Sequence, residues 1–562
     1  MKPDNHRAGH FFPKALFAVF VLSLYVLLYR FRSFDDSRLA SWHDVFSGAF
    51  PFNTAWALLV GLGVAFFISR SSVPERRPAL FLFVVSFTMS ACFWNEPELI
   101  VDASRYFTQA KHLELYGISY FLREWGAGIN AWTDLPAVPF LYGIIFRVFG
   151  EHRMVIELFN ALMFSSAVVL TYLTGKELWS DEVGLYGGIF LLGIPYLYTQ
   201  VPLMLVDVPA MFLFMLAVYT FIRALRKGGM MIAGASLSIF FSFFAKYSAW
   251  LMLTLLVVIV VEELLTNRGK DVGQFALRGM VVFFASFFLI SVAVAFKHDV
   301  MMKQIHLLVT FQQPGLRRWG ESFLAIYFFQ VHPVITLLAA ASVAVAIRKK
   351  DFVYVIIAWI VLLALVLQIR RIRYLIMMFP MLCLMASYGA MQVARILNPG
   401  FVALSVAACS FVLAYTAFLP FQHSTSAENI GDAAAYLNSL DLAAVDVVTP
   451  LPGTSVMNPS ASVPLLDLFL RAPVRYRYRA AEYPIPEDID TSPLRFTWTY
   501  RNPPYYADYG KAEKTGLAII TDRTDIALDD LFHNQTSTFA QKRTFAVRDD
   551  VYQHQTLITV YH

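Results

Sequence analysis

A chain whose apolar residues come in runs of about 20 has few folds open to it, because a helix of that length crosses the hydrocarbon of a bilayer. Here such runs repeat over most of the sequence. They fall at 11–29, 52–69, 79–94, 154–174, 183–200, 205–222, 230–245, 248–265, 279–296, 324–347, 352–368, 374–394 and 400–419, roughly thirteen spans. The composition agrees: of 562 residues, 58% are hydrophobic and 15% charged, and the mean hydropathy is +0.56. The expected fold is mostly α, a polytopic helical membrane protein. Lys2, Arg7 and Lys14 precede or open the first run, Arg30 closes it, and no small-residue cleavage pattern follows. It reads as a retained helix rather than a removed signal peptide.

A net charge of +5 is small for this length and implies no nucleic-acid partner. Its distribution is more informative, since basic residues sort to the cytoplasmic side. With the N-terminus inside, the connections at 70–77, 175–182, 223–229, 266–278, 348–351 and 395–400 become cytoplasmic, and each contains Lys or Arg. The opposite side then receives the loop at 94–136, the corner at Asp207, Lys246, the loop at 297–322, the cluster Arg370, Arg371 and Arg373, and everything after Pro420. The expected location is the plasma (inner) membrane, with these polar residues facing out. Cys92, Cys383 and Cys409 lie in or beside apolar runs, which leaves neither a disulfide framework nor a cysteine metal site.

The loop at 94–136 is the most polar interruption before the tail. From Asp102 it has helical spacing, with Ala103, Phe107, Ala110 and Leu113 on one face and Asp102, Arg105, Gln109 and His112 on another. Such a helix is expected to lie flat on the membrane, apolar side down. Asp102 then has two readings, which are compatible: an acidic residue in the first turn that caps the helix, or a carboxylate presented to a substrate at headgroup level. Glu98, four residues earlier, would share its face if the helix began sooner.

Asp207 sits at the end of a span, where an ionisable group is costly unless paired or facing a wet cavity. Lys246 links two spans and suits either a lipid phosphate or snorkelling to headgroups. Arg370, Arg371 and Arg373 break the positive-inside pattern, and arginine forks match phosphate oxygens. Arg317, Arg318 and His306 are weaker instances of the same case. Beyond Pro420 the hydropathy collapses. Helix-like stretches at 427–440 and 463–470 alternate with strand-like ones at 445–449, 474–478, 516–521 and 557–561, which predicts a C-terminal α/β domain outside the membrane. The expected divisions are 1–78, two added helices; 79–420, the membrane catalytic part; and 421–562, the outer domain.

The order of these features resembles the GT-C superfamily of membrane glycosyltransferases, in particular the protein O-mannosyltransferases and the bacterial aminoarabinose transferase of lipid A. The resemblance rests on Asp102-Ala103-Ser104-Arg105-Tyr106, Asp134-Leu135-Pro136 followed by Phe146-Arg147-Val148-Phe149-Gly150-Glu151, then Val206-Asp207, Ala245-Lys246 and Arg373-Tyr374. It implies a donor sugar on polyprenyl phosphate, a protein, lipid or glycan acceptor, and no cofactor; no metal is assigned. By the same resemblance Asp102 and Asp207 are the catalytic acids, while Arg105, Tyr106, Lys246, Arg370, Arg371 and Arg373 bind substrate. Ala103 stands where members often have Glu, and Leu135 where they have Lys, so the usual phosphate-binding lysine is missing there. Lys246 or the arginine cluster would replace it. The implied reaction is an inverting single displacement with Asp102 as proton acceptor. The rival readings are a transporter or flippase for a lipid-linked sugar or glycan, and a noncatalytic envelope-assembly protein.

Overall fold

Within hydrocarbon, main-chain N–H and C=O groups must be paired inside their own segment, and the apolar runs answer this as helices. The computed structural model describes residues 11–38, 40–47, 52–71, 73–266, 272–314, 320–392, 397–449, 458–476, 503–507, 514–522, 532–552 and 555–562. Seven helices among them are long and apolar enough to cross a membrane, and five shorter apolar helices accompany them. The chain is an integral, multi-pass membrane protein.

In chain order the principal helices begin with α1 (Phe11–Arg30), α2 (Phe52–Ile68), α3 (Pro78–Ala91), α4 (Asp102–Glu124), α5 (Ala137–Phe149) and α6 (Arg153–Leu178). They continue with α7 (Asp181–Leu191), α8 (Asp207–Lys227), α9 (Met230–Phe243), α10 (Tyr247–Thr266), α11 (Val272–Phe296) and α12 (His298–Leu307). The last spans are α13 (Pro333–Lys349), α14 (Tyr354–Val366), α15 (Ile372–Gln392) and α16 (Pro399–His423). Helix α6 packs on α3 and α7, α8 on α9, α13 on α15, and α2 on α16.

Two expected spans are broken. The run at 183–200 ends its helix at Leu191 and resumes for one turn at Pro195, and the run at 324–347 is a π-type turn over Ala325–Val331 that restarts at Pro333. Proline explains both, since it lacks the N–H that would continue the ladder and drives the preceding residue out of the helical region. Helix α5 was not foreseen as an element. It is apolar but only 13 residues long, too short to span, and packs along α4.

Glycines set the closest helix approach. A Cβ on Gly184 of α7 would stand 2.2 Å from the Tyr172 carbonyl oxygen of α6, while Gly175 faces Gly184 across the same contact. Small residues at such a crossing let two backbones touch, which is how helices gain packing energy where lipid supplies no hydrophobic drive.

The C-terminal unit contains helices α17 (Glu428–Asn438) and α18 (Pro459–Phe469) and strands β1 (Ala444–Val448), β2 (Val474–Tyr476), β3 (Thr515–Thr521), β4 (Lys542–Phe545) and β5 (Leu557–Tyr561). The sheet order is β2-β1-β3-β5-β4, parallel for the first three and antiparallel at the other edge, with Asp446 opposite Leu517 and Ile519 opposite Thr559. Helix α18 makes the crossover from β1 to β2 that a parallel pair requires. Residues 477 and 478, expected to extend β2, lie outside the described residues.

Helix α4 does not lie polar side out. Every residue from Ala103 to Leu113 is buried, because α5 covers one side of the helix and α18 of the C-terminal unit packs on another. Lys111 bonds Asp467 of α18 at 2.6 Å and Glu151 at 3.0 Å, and the His112 ring meets Tyr505 at 5.1 Å. Past Gly117, whose φ of 85° kinks the helix, Ile118 and Leu122 are exposed, as are Leu115 and Tyr116 just before it. Only this second half has the apolar outward face of an interfacial helix.

Candidate active site

The start of α4, the start of α8, the corner before α10 and the start of α15 converge on one cavity of about 380 Å³. Its charged lining is Asp102, Arg105, Asp134, Lys246, Arg371 and Arg373, joined by Tyr106 and Tyr374.

Asp102 is the first residue of α4, after the N-cap Val101, and among the described residues its carboxylate pairs with guanidinium groups rather than with a helix N–H. Both carboxylate oxygens face guanidinium groups: Oδ1 lies 3.3 Å from Arg105, and Oδ2 accepts from Arg373 at 2.9 Å. Burial pushes its pKa up, but Arg105 and Arg373 outweigh that and hold the carboxyl below the usual carboxylate range. Asp207 repeats the pattern at the first residue of α8, again without capping. Lys246 donates to one of its oxygens and Arg373 to the other at 3.0 Å. Arg373 therefore bridges the two aspartates, a fork used bidentately across two carboxylates.

The loop before Asp207 is fixed by buried polar side chains. Tyr142 donates to the Leu205 carbonyl at 2.7 Å, Asn160 to the Leu203 carbonyl at 2.7 Å, and Glu98 accepts the Met204 N–H at 2.9 Å. Glu98 thus precedes α4 rather than sharing its face, and it also pairs with Arg153 at 3.3 Å. It is structural, and it does not line the cavity.

Of the expected residues, Asp102, Arg105, Tyr106, Lys246, Arg371 and Arg373 line the cavity, and two do not. The Asp207 side chain is completely covered and stands behind Lys246 and Arg373, paired with both. Arg370 is exposed and outside the lining; its carbonyl serves the main chain instead, accepting from Glu321 N. Arg371 is the extended residue that precedes the helix turn beginning at Ile372, and Arg373 lies within that turn. Arg317 and Arg318 lie outside the described residues.

Asp134, for which the sequence suggests no role, also lines the cavity. It accepts from Arg105 and Gln109, each at 3.2 Å, and burial pushes its pKa up against the opposing pull of Arg105. Gln304 of α12, also unforeseen, donates to the Asp134 carbonyl at 2.8 Å and accepts from Tyr247 at 2.8 Å, closing the wall beside Lys246. No polar sequence signal distinguishes such a glutamine from a surface one. Among the described residues, no group of three or more His, Cys, Asp or Glu is placed to hold a metal ion.

Comparison with known proteins bears on this arrangement. A family model described as dolichyl-phosphate-mannose-protein mannosyltransferase matches residues 134–294, a stretch holding Asp134, Asp207 and Lys246. No curated protein sequence matches. Among solved structures, ArnT from Cupriavidus metallidurans bound to undecaprenyl phosphate is similar with a TM-score of 0.53 at 12% identity, covering 87% of this chain and 98% of that one. This is the GT-C fold. The archaeal oligosaccharyltransferase AglB from Archaeoglobus fulgidus, in complex with an inhibitory peptide and a dolichol-phosphate, is similar with a TM-score of 0.47 at 12% identity over 66% of this chain and 58% of that chain. Within the GT-C fold of this chain, the family-model match ends at residue 294, so Arg371 and Arg373 enter the site from beyond it.

Proposed function

We propose that this chain is an integral-membrane glycosyltransferase that moves a sugar, hexosyl or pentosyl, from a polyprenyl-phosphate donor to a protein, lipid or glycan acceptor at the outer face of the membrane. The observation that carries the reading is the charge of the cavity and its immediate backing. The lining brings Arg105, Lys246, Arg371 and Arg373 together with Asp102 and Asp134, while Asp207 stands behind Lys246 and Arg373 and Glu321 behind the Arg371 segment. A glycosyl phosphodiester carries one negative charge, which four cationic side chains in one cavity are suited to hold. The family match and the undecaprenyl phosphate held by the similar ArnT support the same donor class.

The reaction is a single displacement. An acceptor hydroxyl attacks the anomeric carbon, the bond from that carbon to the phosphate oxygen breaks, and the polyprenyl phosphate leaves with the electron pair. Arg373, Arg371 and Lys246 stabilise the developing charge, and Asp102 takes the hydroxyl proton. A carboxylate gripped by two guanidiniums is a weak base. A phosphate that draws Arg373 toward itself releases one Asp102 oxygen and makes it more basic, so donor binding arms the base. Asp207 holds Lys246 and Arg373 in place while this happens.

The test is sugar transfer by purified protein in detergent with a polyprenyl-phosphate sugar. Asp102→Asn keeps shape and helix preference and removes basicity, so transfer falls by about 10²–10⁴-fold with donor binding retained. Near-normal transfer returns Asp102 to a structural role.

A further inference from the structure

The two helices ahead of the GT-C part frame a short segment, residues 31–46, that reaches the far side of the cavity wall. Its anchor is Trp42, fully buried beside Tyr25. The Trp42 indole donates to the Phe329 carbonyl at 3.2 Å, and Asp35 accepts both the Trp42 N–H at 2.7 Å and the Gln330 amide at 2.9 Å. From this anchor the neighbouring Asp36 presents both carboxylate oxygens to the Ser322 N–H, at 2.9 and 3.0 Å. The Arg38 N–H is directed at the Glu321 carboxylate.

Glu321 in turn grips the arginine segment on either side of Arg371. Its N–H donates to the Arg370 carbonyl at 2.5 Å, and its carboxylate accepts the Ile372 N–H at 2.8 Å. With residues 370 and 372 both tied to one residue, the direction of the Arg371 side chain between them is set by where Glu321 stands. Where Glu321 stands is set by Asp36 and Arg38. Tyr374, which lies under both Arg371 at 5.3 Å and Lys246 at 4.9 Å, carries the same alignment across the cavity.

We infer that Asp36 and Glu321 are positioning residues for the phosphate-binding arginines, so that the added N-terminal segment is a working part of the donor site. The inference rests on the proposed role of the cavity in binding a lipid phosphate. Asp36 is exposed, so replacing it leaves the packed interior alone.

The probe is undecaprenyl phosphate titrated onto the full chain in detergent, with undecaprenol as the uncharged control. Asp36→Ala should weaken undecaprenyl phosphate binding about tenfold, the loss of a hydrogen bond to a charged group, and leave undecaprenol binding and the melting temperature unchanged. Asp36→Asn, which keeps an acceptor for the Ser322 N–H, should recover most of that affinity. Glu321→Gln, whose single amide oxygen cannot serve both the Ile372 and Arg38 N–H groups on separate oxygens as the carboxylate can, should weaken phosphate binding in the same selective way, and it decides the matter if Asp36→Ala does not fold. A loss shared equally by phosphate and alcohol would mean a merely structural role and overturn the inference, as would unchanged phosphate binding in Asp36→Ala and Glu321→Gln. Arg373→Ala separates the two levels. If it weakens phosphate binding while the Asp36 and Glu321 variants do not, only the brace fails; if it too has no effect, the donor site itself is misplaced and the brace falls with it.

Discussion

Asp102 and Asp207 each occupy the first residue of a helix, the favoured end for a negative charge. Each spends its hydrogen-bonding on cations instead of the cap. That choice fixes the pH behaviour of Asp102. Because Arg105 and Arg373 depress its pKa in the folded protein, the group contributes stability above its unfolded value of about 3.9 and loses it as pH falls through the lower folded value. With Asp102 as the proposed proton acceptor, the same depression keeps it charged, so the acid limb of kcat/KM attributable to it should lie below the ordinary carboxylate range. Arg373→Ala removes one of the two cations, and that limb should move up toward about 3.9. A limb that stays in place in the pH profile of the variant would uncouple the two residues. At this scale much was legible in the sequence: an ionisable residue at the end of an apolar run is conspicuous. What was not legible is which partner each one takes, since Asp102 and Arg373 stand 271 residues apart. Glu321 and Asp36 were invisible for a related reason, being acids in polar loops with nothing local to mark them.

Among the elements, α4 departs most from its expected setting. Its spacing correctly gives a helix from Asp102, but the polar face is buried by pairing with Asp134 and with Asp467 of the C-terminal unit, a covering that periodicity cannot reveal. The helix pair α6 and α7 offers a cleaner test of packing. Gly184→Ala would place a methyl group against the rigid Tyr172 carbonyl, and a strained repacking costs about 1–3 kcal/mol. The melting temperature should fall. Gly234→Ala in α9 meets nothing within 4 Å, and there the melting temperature should hold or rise, because alanine loses less backbone entropy than glycine. Equal behaviour of the two variants would show that the α6–α7 contact does not limit stability.

For the whole molecule, membrane architecture was the most legible property, because hydropathy alone identifies runs that must pair their main chains internally. Helix breaks at Pro195 and Pro333 and the non-spanning helix α5 were harder, since each depends on where a neighbour re-satisfies the backbone. The expected sidedness rests on the basic connections. A reporter active only outside the cytoplasm should be active when fused after His562 and silent after Lys227, and the reverse pattern would turn every proposed site residue inward. In the C-terminal unit, β4 escaped notice because Lys542 and Arg543 make it look like a loop, although charged residues are what an exposed sheet edge carries.

The cluster of cations in the cavity lining has one more consequence on the proposed reaction, for turnover. The donor phosphodiester bears a single negative charge, whereas the polyprenyl phosphate left after transfer is a monoester able to carry a second. A pocket that assists departure by attracting developing charge therefore holds its spent carrier more tightly than its substrate. On that reading release of the carrier should be the slow step and added polyprenyl phosphate should inhibit competitively, which would tie the pace of transfer to whatever clears the used lipid from the membrane.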